Sequence, residues 1–208
     1  MATNQRNNLY DLEKSKQGVI TDLSRFIECN ESENLAFLNA LVLKKVKKKE
    51  HLLVEGDICN FGIFVLQGCI RYYYLEDGVE STGSFFFENS WYADLESFLN
   101  AKPSHLYIET LEDSVLYFLY KHDFDKLTRD YPVFATFLPN MMERTIKGLT
   151  TRNKSMSTIS IEERYLRLIK DRPKVVERIP LKYIASYLGI TPESLSRLRT
   201  RLTLNSKS

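Results

Sequence analysis

The 208 residues are 43% hydrophobic and 27% charged with a formal net charge of +2, which is the composition of a globular protein and excludes a disordered or fibrous chain. No apolar run approaches the roughly 18 residues of a membrane span, and the polar start from Met1 to Leu9 has no signal-peptide pattern, so the expected location is cytoplasmic. Cys29, Cys59 and Cys69 are widely spaced, odd in number and without a Cys-x-x-Cys pair; they indicate neither a disulfide framework nor a metal site, but reduced, largely buried thiols. Charge is unevenly spread: Thr151 to Ser208 carry 13 of the 29 basic residues and only 5 of the 27 acidic ones. A basic module on an acidic body suits a polyanionic partner.

In chain order, residues up to about Leu43 read as helical, with Val19, Leu23, Phe26 and Ile27 and then Leu35, Leu38, Leu41 and Val42 repeating at three and four. The basic run Lys44 to Lys49 reads as a solvated edge strand, and no function is assigned to it. From Lys47 to Leu119 the chain breaks into short strands, His51 to Val54, Phe61 to Leu66, Cys69 to Leu75, Ser84 to Phe87, and Leu106 to Leu119 in two parts. Turn signals at Gly56, Gly68 and Gly78 separate them, a spacing that predicts a β-roll or jelly roll.

Phe124 to Phe137 is expected to be helical. From Tyr131 to about Ser157, Phe134, Leu138, Met141, Met142, Thr145 and Leu149 fall near heptad spacing, which predicts a long dimerisation helix; the same stripe packed on the roll is the alternative. Ser160-Ile161-Glu162-Glu163 has the capping-box pattern, so a new helix is expected from Ile161 to about Lys170, with Leu166 and Ile169 inward and Arg164 and Arg167 outward. Three units follow: 1–130, a roll with N-terminal helices; 131–158, the dimer helix; and 159–208, with Asp171 to Arg178 as a connection to what comes next.

Leu181 to Leu188 spells a short helix whose Ile184, Ala185 and Leu188 share one side, and Gly189 stands where a left-handed cap is wanted. Thr191 as N-cap and Pro192 at the first helical position start a second helix, with Leu195, Leu198 and Leu202 on one face. The pair reads as a helix-turn-helix, although an ordinary helical hairpin has the same periodicity. Glu193, Ser196, Arg197 and Thr200 lie on the opposite face, where an Arg fork suits guanine, a carboxylate suits cytosine N4, and a hydroxyl suits either. Glu193, Ser196 and Arg197 are the expected base readers; Thr191, Arg164, Arg199, Thr200 and Arg201 are the expected backbone contacts.

The segment Tyr187-Leu-Gly-Ile-Thr-Pro-Glu-Ser-Leu-Ser-Arg-Leu198 resembles the Leu-Gly…Glu-x-x-Ser-Arg pattern of the cyclic-AMP receptor and fumarate–nitrate regulator (Crp/Fnr) superfamily of bacterial transcription factors, in the form of its fumarate–nitrate branch. The order of parts resembles that superfamily over nearly the whole chain, and the pattern is similar to variant members in bacteria of the Bacteroidetes type. The resemblance implies an α+β architecture of β-roll, dimer helix and C-terminal winged helix-turn-helix. It also implies a homodimer reading an inverted repeat in double-stranded DNA, with RNA polymerase as a further partner.

The family's ligand motifs are not reproduced. Where cyclic-nucleotide binders have Gly-Glu-Leu this chain has Ala93-Asp94-Leu95, and Ser104-His105 aligns with their Arg-Ser. Without the guanidinium that holds the cyclic phosphate, no tight cyclic-AMP binding is expected. With only Cys29 near the N-terminus, an iron–sulfur cluster is not expected either. An unknown effector is left as one reading of the aromatic-rich stretch, with Trp91, Tyr92, Asp94, His105 and Tyr107 as candidate pocket residues; the other is that the aromatics fill the roll. His51, His105 and His122 show no metal-ligand spacing and no nucleophile motif stands out, so neither catalysis nor a cofactor is expected. The competing functional reading is a ligand-sensing roll whose basic C-terminal module binds a protein.

Overall fold

Gly56, Gly68 and Gly78 all sit at positive φ, 92°, 99° and 79°, and each turns the chain between strands where a Cβ would be strained. A computed structural model describes residues 15–205, with side chains excepted at 148–158 and 205. Among them are eight strands in two antiparallel sheets. One sheet has the order β1 (Leu41–Val46), β8 (Ser114–Tyr120), β3 (Phe61–Gln67), β6 (Ser90–Tyr92). The other has the order β2 (His51–Leu53), β7 (Tyr107–Thr110), β4 (Ile70–Glu76), β5 (Val79–Phe86).

Alternation along the strands sends Ile63, Val65, Ile70, Ile108 and Leu116, all without exposed surface, between the two sheets. Tyr72, Phe86 and Tyr92 join them as a stack, with Tyr72 and Tyr92 nearly parallel at 5.0 Å and Phe86 4.4 Å from Tyr92. A bulge between Tyr72 and Tyr73 makes room for this. Gly83 lies under the Tyr72 ring, where a Cβ would come within 1.8 Å of it.

Most strands lie where the sequence predicts them, and the lysine-rich run overlaps an edge strand, β1. Several features depart from expectation: Leu41 to Leu43, expected to be helical, begin β1 instead, because α2 ends at Asn39 and the chain there pairs with β8. The first half of β5, Val79 to Thr82, and the short β6 were not predicted, because their polar or brief sequences carry no alternation. The helix α4 (Lys121–Asp130) does not run on through Phe137: Tyr131 is extended, and a 3-10 turn, Pro132–Thr136, intervenes before α5 (Phe137–Thr158). Pro132 supplies the reason, since it disfavours helical backbone in the residue before it.

The outer face of the β1-β8-β3-β6 sheet, with Phe64, Trp91, Tyr117 and Leu119, is covered by α1 (residues 15–23), α2 (Glu31–Asn39), α4 and the first turn of α5. Farther along α5, Leu138, Met141 and Met142 are half-buried and every residue from Glu143 to Lys147 is exposed. Of the predicted dimer stripe, Phe134 falls in the 3-10 turn and Leu149 lies outside the described side chains. Met1 to Leu9 lie outside the described residues altogether. No described helix is long and apolar enough to cross a membrane.

The C-terminal part consists of α6 (Ile161–Asp171), α7 (Pro173–Arg178), α8 (Leu181–Leu188) and α9 (Pro192–Asn205). The expected connection after Asp171 is thus mostly a helix. In α6 the predicted face is rotated: Tyr165 and Leu168 are buried, whereas Leu166 and Ile169 are exposed and Arg164 is half-buried. Both stripes satisfy helical spacing, and the one carrying Ile161 and the large Tyr165 packs inward. Every described strand belongs to the roll, and the described residues end in α9, so the expected wing is not among them.

Candidate nucleic-acid interface

Local chemistry builds the helical pair as its sequence dictates. Gly189 closes α8 in the left-handed conformation at φ 73°, and the Thr191 hydroxyl accepts from the Ser194 N–H at 3.2 Å to begin α9. Leu195 and Leu198 of α9 are buried against Ile184, Ala185 and Leu188 of α8, with Leu202 half-buried beside them. This fixes the rotation of α9. Glu193, Ser196, Arg197 and Thr200 are consequently exposed together on the outward face. The backbone N–H at the start of α9 and the Thr191 hydroxyl hold the Glu193 carboxyl below its ordinary range, so near neutrality it is an acceptor only. The Thr200 hydroxyl donates to the Ser196 carbonyl, 3.2 Å away, and keeps its acceptor capacity.

The expected backbone contacts fall into two groups. Thr191 and Arg199 are exposed beside the outward face. Arg164 instead donates to the Leu188 carbonyl at the end of α8, 3.2 Å away, and Arg201 pairs with Glu162 at 2.5 Å. These two tie α6 to the helical pair, and a phosphate would have to compete with that.

Residues the sequence did not single out seat this module on the roll. Arg71, only 1% exposed, bonds Glu109 at 2.6 Å, Thr82 at 3.1 Å and Glu80. Its guanidinium lies between the rings of Tyr73, 4.1 Å away, and Tyr183 of α8, 3.9 Å away. Burial, with Glu109 and Glu80 nearby, pushes the Tyr73 phenol up to about 12, and its oxygen meets His51 Nε2 at 2.9 Å. Ser186 of α8 donates to the Glu80 carbonyl at 2.7 Å and accepts from the Thr82 N–H at 2.9 Å, covering the open edge of β5.

A second set surrounds α7. Arg178 bonds both Glu88 and Glu112, Lys174 reaches Glu88 at 2.9 Å, and Arg172 donates to the Phe85 carbonyl at 2.6 Å. Beneath them Cys69, Phe85, Phe87 and Leu111 of the roll share one hydrophobic cluster with Tyr165, Val175, Tyr183 and Leu188. The proposed boundary at residue 159 therefore separates helices that share a core with the roll. Burial pushes the Cys69 thiol up to about 12; Cys59 is buried as well, and Cys29 is half-buried. A sequence signal for Arg71 existed: one cation inside the apolar run Ile70 to Leu75 is most simply a buried, paired charge.

The five candidate pocket residues do not converge. Trp91 faces the covering helices while Tyr92 lies in the roll interior. Asp94 caps α3 (Leu95–Asn100), accepting from the Ser97 N–H at 3.4 Å. His105 is exposed, and Tyr107 stacks on Tyr73 with its hydroxyl toward Glu55. Neither of the aligned ligand motifs offers a nucleotide grip, since Asp94 is spent on its cap and the Ser104 hydroxyl on the Leu106 backbone. No cluster of potential metal ligands occurs among the described residues.

Residues 43–131 match the cyclic nucleotide-binding domain family. No curated protein sequence matches the chain. Among solved structures, the c-di-GMP responsive global regulator CLP of Xanthomonas campestris aligns at 14% identity with a TM-score of 0.70, covering 85% of this chain and 93% of that one. FixK2 from Bradyrhizobium japonicum aligns at 19% identity and 0.68, covering 80% and 86%. The Thermus thermophilus catabolite activator protein aligns at 20% and 0.54, covering 85% of each chain. The chain thus carries a cyclic nucleotide-binding type of roll. Over the remainder of the chain the likeness to these structures is one of fold.

Proposed function

We propose that the chain is a sequence-specific DNA-binding transcription regulator that acts as a homodimer on inverted-repeat sites. The observation that carries this is the outward face of α9, with Glu193, Ser196, Arg197 and Thr200 exposed together on a helix whose rotation is fixed by buried Leu195 and Leu198. It stands in the part of the chain richest in positive charge. An exposed guanidinium, carboxylate and hydroxyls on one short helix match the donors and acceptors of major-groove base edges. Arg199 and Thr191 flank that face as phosphate contacts, and Arg164 and Arg201 act chiefly by holding α6 against it.

Pairing through α5 supplies the second half-site. The exposed stretch from Glu143 to Lys147, with Ile146 at 59%, is the part of the helix that a second copy would cover. Two-fold symmetry then sets half-sites about one helical turn apart, ~34 Å. In the roll, the Tyr72–Tyr92–Phe86 stack fills part of the interior, and Ser104-His105 aligns where the family's phosphate-holding Arg-Ser belongs, which supports an effector other than cyclic AMP.

Fluorescence anisotropy with a labelled duplex pool tests the polyanion part of this reading. Affinity should fall steeply with salt, and Arg199→Ala should weaken every duplex alike and flatten the salt slope by about one unit. A salt-independent association, or none at all, would favour a protein-binding role for the module.

A further inference from the structure

Directly opposed residues of β4 and β5 share a face of their sheet, and two such pairs form the seat of the C-terminal module. Tyr73 stands opposite Thr82, and Arg71 opposite Phe85. Thr82 donates its N–H to Ser186 of α8 and accepts from Arg71 through its hydroxyl. The Phe85 ring lies 5.6 Å from that of Tyr187 in α8, and its carbonyl accepts from Arg172. Thr82 and Phe85 are three residues apart, so strict alternation would put them on opposite faces. The bulge is what brings both to the module: Tyr72 pairs with Ser84 and Tyr73 with Thr82, which makes Gly83 the extra residue.

The group that sets the bulge lies on the other face of the sheet. The Tyr72 ring stacks on Tyr92, and it lies so close to Gly83 that a Cβ there would come within 1.8 Å of one ring carbon and 2.3 Å of another. The φ of Gly83 is outside the left-handed region, so the ring, and not the backbone, requires glycine at this position. Regular pairing carried on past Tyr73 and Thr82 would set Ser84 opposite Arg71 and turn Phe85 into the roll interior. The seat would then lose the Phe85 ring.

We propose that Tyr72 is the positioning residue of the C-terminal module: its ring, held against Tyr92 and Gly83, fixes the bulge that presents Thr82 and Phe85 together to α8 and Arg172. A side chain of the roll's own interior thereby sets where α8 sits, and with it the direction of α9. The consequence for duplex affinity rests on the DNA-binding reading, whereas the positioning of α8 does not.

Hydrogen exchange of the full-length protein reads the seat at the Thr82 amide, with the amides of β3 and β8 as the reference for the roll itself. In Tyr72→Leu, which keeps an apolar side chain but no ring, Thr82 should exchange at least tenfold faster relative to that reference than in the wild type. Tyr72→Phe should keep the wild-type ratio. Ile108→Ala, which empties space in the same interior opposite Tyr72, should speed both sets alike and leave the ratio unchanged. Gly83→Ala forces the ring aside without touching it chemically and should match Tyr72→Leu, whether or not Tyr72→Leu folds. Affinity for a duplex pool should fall at least tenfold with the ratio change; a wild type that binds no duplex would defeat the DNA-binding reading while the exchange ratios still decide the positioning. A wild-type ratio in Gly83→Ala or in folded Tyr72→Leu, or an equal rise in Ile108→Ala, would overturn the proposal.

Discussion

The guanidinium of Arg71, in the fourth strand of the roll, lies 3.9 Å from the ring centre of Tyr183, in the first helix of the helical pair. Neighbouring residues of the same strand have different tasks: Tyr72 faces the roll interior, while Arg71 and Tyr73 face the C-terminal module. One strand is therefore shared by the aromatic core of the sensor-like domain and the seat of the candidate reading head. Arg71→Met leaves the Glu109 carboxylate, itself 5% exposed, without its cation. The expected loss is about 3–5 kcal/mol in urea unfolding, and Arg71→Met combined with Glu109→Gln should recover part of it.

The acidic end of the stability profile should report on the second contact. Burial alone would raise the Glu88 pKa, but hydrogen bonds from Arg178 and Lys174 outweigh it and hold the group at about 2, against an ordinary 4.5. A carboxylate with a lowered folded pKa stabilises fully above its unfolded value and loses that contribution as pH falls toward the folded one. Docking of α7 on the roll should thus weaken between pH 4.5 and about 2. Hydrogen exchange of the α7 amides followed over this range checks it, and in Arg178→Leu, where the Glu88 pKa lies nearer 4.5, the pH-dependent loss should be smaller.

Two turn glycines of similar φ should respond differently to the same change. At Gly68 an added Cβ would lie 2.2 Å from the Ser114 hydroxyl and 2.9 Å from its Cα, whereas at Gly56 it would meet nothing within 4 Å. Gly56→Ala should cost only backbone strain, roughly 1–3 kcal/mol. Gly68→Ala adds overpacking of about 1–3 kcal/mol more. Paired denaturation curves decide it, with equal midpoints as the contrary outcome.

The sequence announced the helical pair with particular clarity because each boundary has a local chemical cause: Gly189 for the left-handed cap, Thr191 for the hydroxyl cap, Pro192 for the first turn. The capping serine Ser160 was equally plain, and its hydroxyl accepts from the Glu163 N–H. The orientation of α6 was not, since Leu166–Ile169 and Tyr165–Leu168 are both acceptable stripes and only packing against α8 separates them. The roles of Arg71, Arg172 and Arg178 were hidden for the same reason: each has a partner 38 to 110 residues away. The candidate pocket read from Trp91, Tyr92, Asp94, His105 and Tyr107 came apart because neighbours in a strand face opposite sides. Trp91 turned outward to the helices and Tyr92 inward.

Self-association should depend on the exposed part of α5. Replacing Ile146, at 59% exposure, with Glu puts a charge where a second helix would pack. Sedimentation equilibrium should show a dimer for the wild type and a shift of at least tenfold toward monomer for Ile146→Glu, with an unchanged circular dichroism spectrum. A monomeric wild type would remove the inverted-repeat part of the reading.

The central claim is that the outward face of α9 reads base sequence, and selection from a random duplex pool tests it most directly, with the wild type and Arg197→Ala carried through in parallel. The account predicts an enriched inverted repeat with half-sites about one helical turn apart. It further predicts that Arg197→Ala loses roughly 1–3 kcal/mol and relaxes preference at a single base pair in each half-site. No enriched sequence with the wild type, or an unchanged motif with Arg197→Ala, would contradict it.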